Sequence, residues 1–116
     1  MRVGLRIQIT ELDVRDALQP GSAAARDAGI AALYKDFVDT CTGHAAVEML
    51  VMWNVTDADS WMNRWLQGPR RTDGQPMRPT LFDTQGRPKA AFAAVAKSLQ
   101  QAATAFDKTT TKAYHV

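Results

Sequence analysis

Ile9-Thr10-Glu11-Leu12-Asp13-Val14 closes a strand-like apolar segment with two carboxylates, at a place where a buried strand normally carries none. Upstream, the apolar Leu5, Ile7 and Ile9 alternate with Arg6, Gln8 and Thr10, which is the two-residue period of a half-buried strand. Glu11 and Asp13 lie two apart, so an extended backbone sends both carboxylates to the same side. The stretch reads as a strand ending in a pair of acids, a place where chemistry is done.

Working outward, residues 15–21 form a loop closed by Pro20-Gly21, and Ser22 is an N-cap for a helix over residues 23–42. Its larger apolar side chains, Ile30, Leu33, Tyr34, Phe37, Val38 and Cys41, recur at three and four residues and mark one face, with Gly43 as the stop. Residues 45–55 are almost continuously apolar, as expected of a parallel strand covered on both faces. Residues 62–80, rich in Arg, Pro, Gly and Gln, predict a long loop without periodicity. Pro88 opens a second helix whose stripe, Phe92, Val95, Ala96, Leu99 and Ala103, runs to about Phe106. Residues 107–116 have no apolar pattern and predict a flexible tail. The order strand, helix, strand, long loop, helix implies an α/β fold with parallel strands.

Three stretches together resemble glycoside hydrolase family 10, the retaining endo-β-1,4-xylanases. Ile9-Thr10-Glu11-Leu12-Asp13-Val14 is similar to that family's nucleophile strand. Trp53-Asn54-Val55-Thr56-Asp57-Ala58-Asp59-Ser60-Trp61 resembles its eighth strand, usually written Trp-Gly-Val-Thr-Asp with a Ser-Trp at its end. Leu81-Phe82-Asp83-Thr84-Gln85-Gly86-Arg87-Pro88-Lys89 is similar to the approach to its last helix. The matches fall in the family's order and together cover most of residues 5–95.

The resemblance implies a (β/α)8 TIM barrel, which needs about 250 residues and draws catalytic groups from several strand ends. With 116 residues, the chain is expected to supply the last two strand-helix units of such a barrel, incomplete on its own. Residues 1–106 are then the C-terminal part of a family 10 catalytic domain.

Retaining glycoside hydrolysis uses two carboxyl groups about 5 Å apart, one attacking the anomeric carbon and one protonating the leaving oxygen. By resemblance Glu11 is the nucleophile. Asp13 matches the carboxylate that, in the family, holds a histidine from strand six against the nucleophile. Trp53 and Trp61 match the walls of the subsite where the bond is cleaved, since indole faces pack on the C–H faces of sugars. Taken alone, a Glu-X-Asp triplet more often caps a loop, and for Trp53 and Trp61 a place in the core is the lesser alternative.

The general acid is not found. Glu48 is the other glutamate, but it stands near the start of its strand, roughly 16 Å from the rim at 3.3 Å per residue. Neither Asn54 nor Asn63 is followed by Glu, as the family's acid motif requires, and neither His44 nor His115 replaces the missing histidine. Without that histidine, like charges on Glu11 and Asp13 disfavour ionisation of both. Asn54 stands where the family has Gly, and suits a left-handed turn better than other side chains do. Arg64, Arg70, Arg71 and Arg78 read as a basic solvated loop.

At 46% hydrophobic and 22% charged residues the composition is that of a globular protein, and a net charge of +2 offers nothing to a polyanion, so no nucleic-acid partner is expected. No run of 18 apolar residues predicts a membrane span, and residues 1–4 lack the apolar core of a signal peptide. A secreted or extracytoplasmic setting follows from the resemblance alone. Cys41 is the single cysteine, which excludes an internal disulfide and reads as a buried thiol. The resemblance implies no cofactor and no metal. It implies part of a xylanase acting on xylan or xylo-oligosaccharides, inactive alone for want of its acid. The alternative is a non-catalytic remnant that binds xylan weakly or associates with a partner completing the barrel. A sheet of two parallel strands has two unprotected edges and one uncovered face, which also predicts self-association.

Overall fold

A computed structural model describes residues 3–66, 68 and 70–113. Along the chain come β1 (Ile7–Leu12), α1 (Ala23–Thr42), β2 (Val47–Met52), α2 (Trp61–Arg64) and α3 (Ala90–Ala113). β1 and β2 pair in parallel, with Ile7 opposite Val47 and Leu12 opposite Met52, and the register shifts twice between those pairs. Parallel neighbours cannot be joined by a hairpin, and α1 is the crossover between them.

α1 begins where expected, because the Ser22 hydroxyl accepts the Ala25 N–H at 3.2 Å. It ends at Gly43 with φ −75°, inside the right-handed region, so the glycine is not there to supply a left-handed turn. Its N–H instead donates back to the Asp39 carbonyl at 3.1 Å, and the following His44 N–H donates to the Cys41 carbonyl at 3.1 Å. The buried face consists of Arg26, Ile30, Tyr34, Val38 and Cys41. Complete burial of a side chain such as Ile30 stabilises by about 1.5–3 kcal/mol. Leu33 and Phe37, expected on that face, stay 44% and 41% exposed on its flank.

Ile9, Leu12, Leu50 and Met52 pack from the sheet onto the core formed by Ile30, Tyr34, Val38, Ala91 and Val95. On the other face of β2, Met49 and Val51 remain 45% and 39% exposed. The continuous apolar pattern of β2 suits a strand covered on both faces, and in this chain one face is open, as expected of a two-stranded sheet. The described residues supply one helical layer, and it lies on one side of the sheet.

α3 also departs from the sequence reading. Its buried positions include Ala91, Val95 and Ser98, whereas Phe92 and Leu99 are exposed. α1 and α3 pack directly against each other, and small side chains in that seam let the two helices approach closely. Phe92 instead meets Phe82 from the preceding segment, ring centroids 5.1 Å apart. The helix continues to Ala113, so residues 107–113 of the expected tail are helical. Asp107, Lys108, Thr109, Thr110, Thr111, Lys112 and Ala113 prolong a helix already nucleated upstream, although no apolar stripe announces it. Residues 114–116 of that tail lie outside the described residues. The long loop is likewise shorter than expected, because its first residues form the single turn α2.

The open face of β2 and the exposed flank of α1 together predict association of the chain. Its average mass by light scattering should rise with concentration, and Val51→Lys with Phe37→Lys should suppress the rise. A sharp calorimetric transition from a concentration-independent monomer is the contrary outcome.

Candidate active site

The C-terminal ends of the strands are joined by a hydrogen bond from the Trp53 N–H to the Leu12 carbonyl, 3.0 Å. Glu11 lies one residue before Leu12 and is exposed, while Asp13 lies one residue after and is half-buried. Asp13 Oδ2 accepts the Trp61 indole N–H at 2.8 Å. Burial pushes the Asp13 carboxyl above the ordinary aspartate range, the indole hydrogen bond opposes this, and the Glu11 charge adds to the rise. Of the four residues picked out by sequence, Asp13 and Trp61 are thus in direct contact and Glu11 is close enough to act on Asp13. Trp53 follows β2 directly, with its side chain exposed. Glu48 bonds Arg6 at 3.1 Å and Gln8 at 3.2 Å. In the parallel register those residues lie at the other end of the sheet, as the strand arithmetic required.

Trp61 is held from several sides. Its backbone N–H donates to Asn54 Oδ1 at 3.3 Å, and its ring lies 6.0 Å from that of Trp65, tilted by 46°. Asn54 is not left-handed, because no described residue other than glycine has positive φ. The residue that stands where the family has Gly is therefore used for its side chain. Asn63, two residues on, makes three bonds of 2.8 Å: it donates to the carbonyls of Asp57 and Met77 and accepts the Met77 N–H. This pins the segment leading to residue 80 alongside α2.

Asp57 is 1% exposed. Its carboxylate accepts the Thr80 N–H at 3.0 Å, the Thr80 hydroxyl at 2.8 Å and Lys89 Nζ at 2.9 Å. Lys89 also donates to the Arg78 carbonyl at 2.9 Å. Burial pushes the Lys89 ammonium below the ordinary lysine range, and the Asp57 carboxylate works against that shift. Tyr34 donates to the Pro79 carbonyl at 2.5 Å. Its phenol is pushed up by burial and then by the charges of Asp13 and Asp57.

For Arg71 and Arg78 the expectation of a solvated basic loop is corrected. Arg71 is buried, donating to the Asp16 carbonyl and to Asp73 at 2.6–3.2 Å. Arg78 grips Asp27 with two bonds of 2.6 and 2.8 Å, the forked geometry that suits a guanidinium. Arg70 donates to the carbonyls of Met62, Trp65 and Leu66. Arg64 keeps the expected surface character, with Asp59 at 3.6 Å, and Arg70 is exposed as well. The loop uses its cations to bind itself to the first loop and to α1.

Sequence reasoning missed Asp16 and Arg26, a buried ion pair with Nε to Oδ2 at 3.0 Å. Arg26 does carry a signal, because it falls four residues before Ile30, in phase with the buried face of α1. Trp65 and Asn63 carried no such signal. His44 is an exposed loop residue, and His115 lies outside the described residues. Among the described residues no group of three or more His, Cys, Asp or Glu is gathered where a metal could sit. No helix among them is long and apolar enough to cross a membrane.

Parallel strands crossed by helices, with carboxylates and tryptophans at the C-terminal strand ends, place the protein among α/β folds whose sites form at that end. The chain belongs to glycosyl hydrolase family 10, whose family model matches residues 1–98. It is 31% identical to native xylanase 10B from Thermotoga maritima, covering 84% of this chain and 28% of that one, with a TM-score of 0.70. Xylanase 10B from Thermotoga petrophila in complex with xylobiose matches equally, at 31% identity over 84% and 28% of the two chains and a TM-score of 0.70. A glycosylated endo-β-1,4-xylanase from Gloeophyllum trabeum is 31% identical over 83% and 28%, with a TM-score of 0.66. The chain therefore spans little more than a quarter of the length of these relatives. No curated protein sequence matches it.

Removing one partner of a buried pair leaves a charge stranded. Lys89→Met should accordingly cost about 3–5 kcal/mol in urea unfolding at low protein concentration, and Asp57→Asn in the same chain should recover part of that loss.

With Asp39 and Asp83, Asp73 is one of several carboxyls held below the ordinary aspartate range. Hydrogen bonds from Arg71, and then from the Gln75 N–H, lower its carboxyl to about 2. A depressed carboxyl contributes stability above its ordinary range that is lost as pH falls through about 2. In Arg71→Gln the Asp73 carboxyl, followed by carbon NMR, should titrate nearer the ordinary aspartate value.

Proposed function

We propose that the chain is part of a retaining endo-1,4-β-xylanase, in which Glu11 attacks the anomeric carbon of a β-1,4-linked xylosyl unit. The observation carrying this reading is the exposed Glu11 carboxylate at the end of β1, beside the half-buried Asp13. Attack forms a covalent glycosyl ester on Glu11 as the glycosidic C–O bond breaks. The leaving oxygen takes a proton from a general acid, and water then cleaves the ester with net retention. Trp53 and Trp61 wall the cleavage subsite, and xylan or xylo-oligosaccharide is the substrate. A glycan-degrading role fits a secreted or extracytoplasmic setting. The residues for the acid role lie outside this chain, so the isolated polypeptide should not turn over xylan. General acid catalysis commonly contributes about 10²–10⁴-fold.

A second reading is favoured by the open face of Met49 and Val51. On that reading the chain is a non-catalytic remnant that binds xylan weakly or associates with a partner completing the barrel. Supplying the missing units from a related domain separates the two. Glu11→Ala in the completed barrel should abolish turnover, and azide should restore cleavage of an activated aryl xyloside by entering the vacated space. Attack by azide in one step yields the inverted product, whereas the native route retains configuration. A retained product on rescue would make Glu11 the acid/base, and a completed barrel inactive before substitution would favour the remnant.

A further inference from the structure

The indole N–H of Trp61 has a use that its place in a sugar-binding wall does not require. It points at Asp13 Oδ2, 2.8 Å away, and the ring is clamped for that purpose. Asn54 holds its backbone, buried Ser60 caps the turn by accepting the Met62 N–H at 3.2 Å, and Trp65 lies against its ring. An indole nitrogen donates and never accepts, so the contact fixes both its direction and the oxygen that receives it. The ionisable groups facing Asp13 are Glu11 from the same strand segment and Tyr34 from α1. Neither brings a positive charge, which makes the Trp61 donor the counterweight to burial and to Glu11.

We infer that Trp61 is a positioning residue for the Glu11–Asp13 carboxylate pair: its indole N–H fixes Asp13 beside Glu11, so one side chain is both sugar-stacking wall and orienting donor. The bearing on turnover rests on the reading of Glu11 as nucleophile. The hydrogen bond itself does not. A ring substitution that keeps the wall but lacks the donor separates the two roles, and Trp61→Phe is that substitution.

The test is carbon and nitrogen NMR on the full chain, labelled and titrated through the acid range. In the unsubstituted chain the Trp61 indole N–H resonance should shift as Asp13 titrates, the shift should vanish in Asp13→Asn, and the indoles of Trp53 and Trp65 should lack it. In Trp61→Phe the Asp13 carboxyl should titrate at higher pH than in the unsubstituted chain, because the group that favours the charged form is gone. A merely structural role predicts the opposite, since loosening the site hydrates Asp13 and brings its titration down toward the ordinary value. A Trp61 indole without an acid-range step, or an Asp13 midpoint unmoved or lowered in Trp61→Phe, overturns the inference. Should Trp61→Phe fail to fold, the indole titration of the unsubstituted chain decides alone. Neither readout involves turnover, so a failure of Glu11 as nucleophile, read from the anomer of the rescued product, leaves both intact.

Discussion

The Asp57 carboxylate and the Lys89 ammonium, buried together at 2.9 Å, decide how the second half of the chain lies on the first. Removing two charges from water costs several kcal/mol each, and such a pair persists only when the remaining lone pairs and protons are also satisfied. Here they are: Thr80 donates twice to Asp57, and Lys89 adds the Arg78 carbonyl. Asn63 binds the Asp57 carbonyl as well. One residue just beyond β2 thereby fixes α2, the return of the loop at residue 80 and the start of α3.

That hub explains why an irregular stretch can build a site. Loop backbones buried without partners are costly, yet the segment approaching residue 80 is satisfied at almost every step. Asn63 takes both polar groups of Met77, Arg26 donates to the Pro76 carbonyl at 2.7 Å, and Tyr34 and the Val14 N–H share the Pro79 carbonyl. Val14 directly follows Asp13. The strap that steadies α2 therefore also steadies the end of β1, and the Trp61 to Asp13 bond spans two anchored segments. The carboxylates are presented on a surface whose supports are buried.

The open side of the sheet has a different cause. β2 is apolar on both faces, but α1 and α3 stack on one, so the helical core closes while Met49 and Val51 do not find partners within the described residues. The same holds for Leu33 and Phe37 on the flank of α1. The chain spans 28% of the length of xylanase 10B from Thermotoga maritima, and its apolar pattern is that of a strand layer with more cover than the described residues supply.

The sequence by itself determined what depends on neighbours along the chain. The two-residue alternation before Glu11 placed β1, the Ser22 cap and the stripe of Ile30, Tyr34 and Val38 placed α1, and strand arithmetic separated Glu48 from Glu11. These are short-range consequences of backbone period and capping. Only the tertiary structure decided which flank of each helix would be covered. It left Phe92 and Leu99 exposed and Ala91, Val95 and Ser98 in the seam, because burial on a helix is chosen by what lies opposite. Only the tertiary structure could pair Asp57 with Lys89, Arg71 with Asp16 and Trp61 with Asp13. Such partners stand far apart in sequence, and a polar side chain carries no periodic mark of the distant group that will satisfy it.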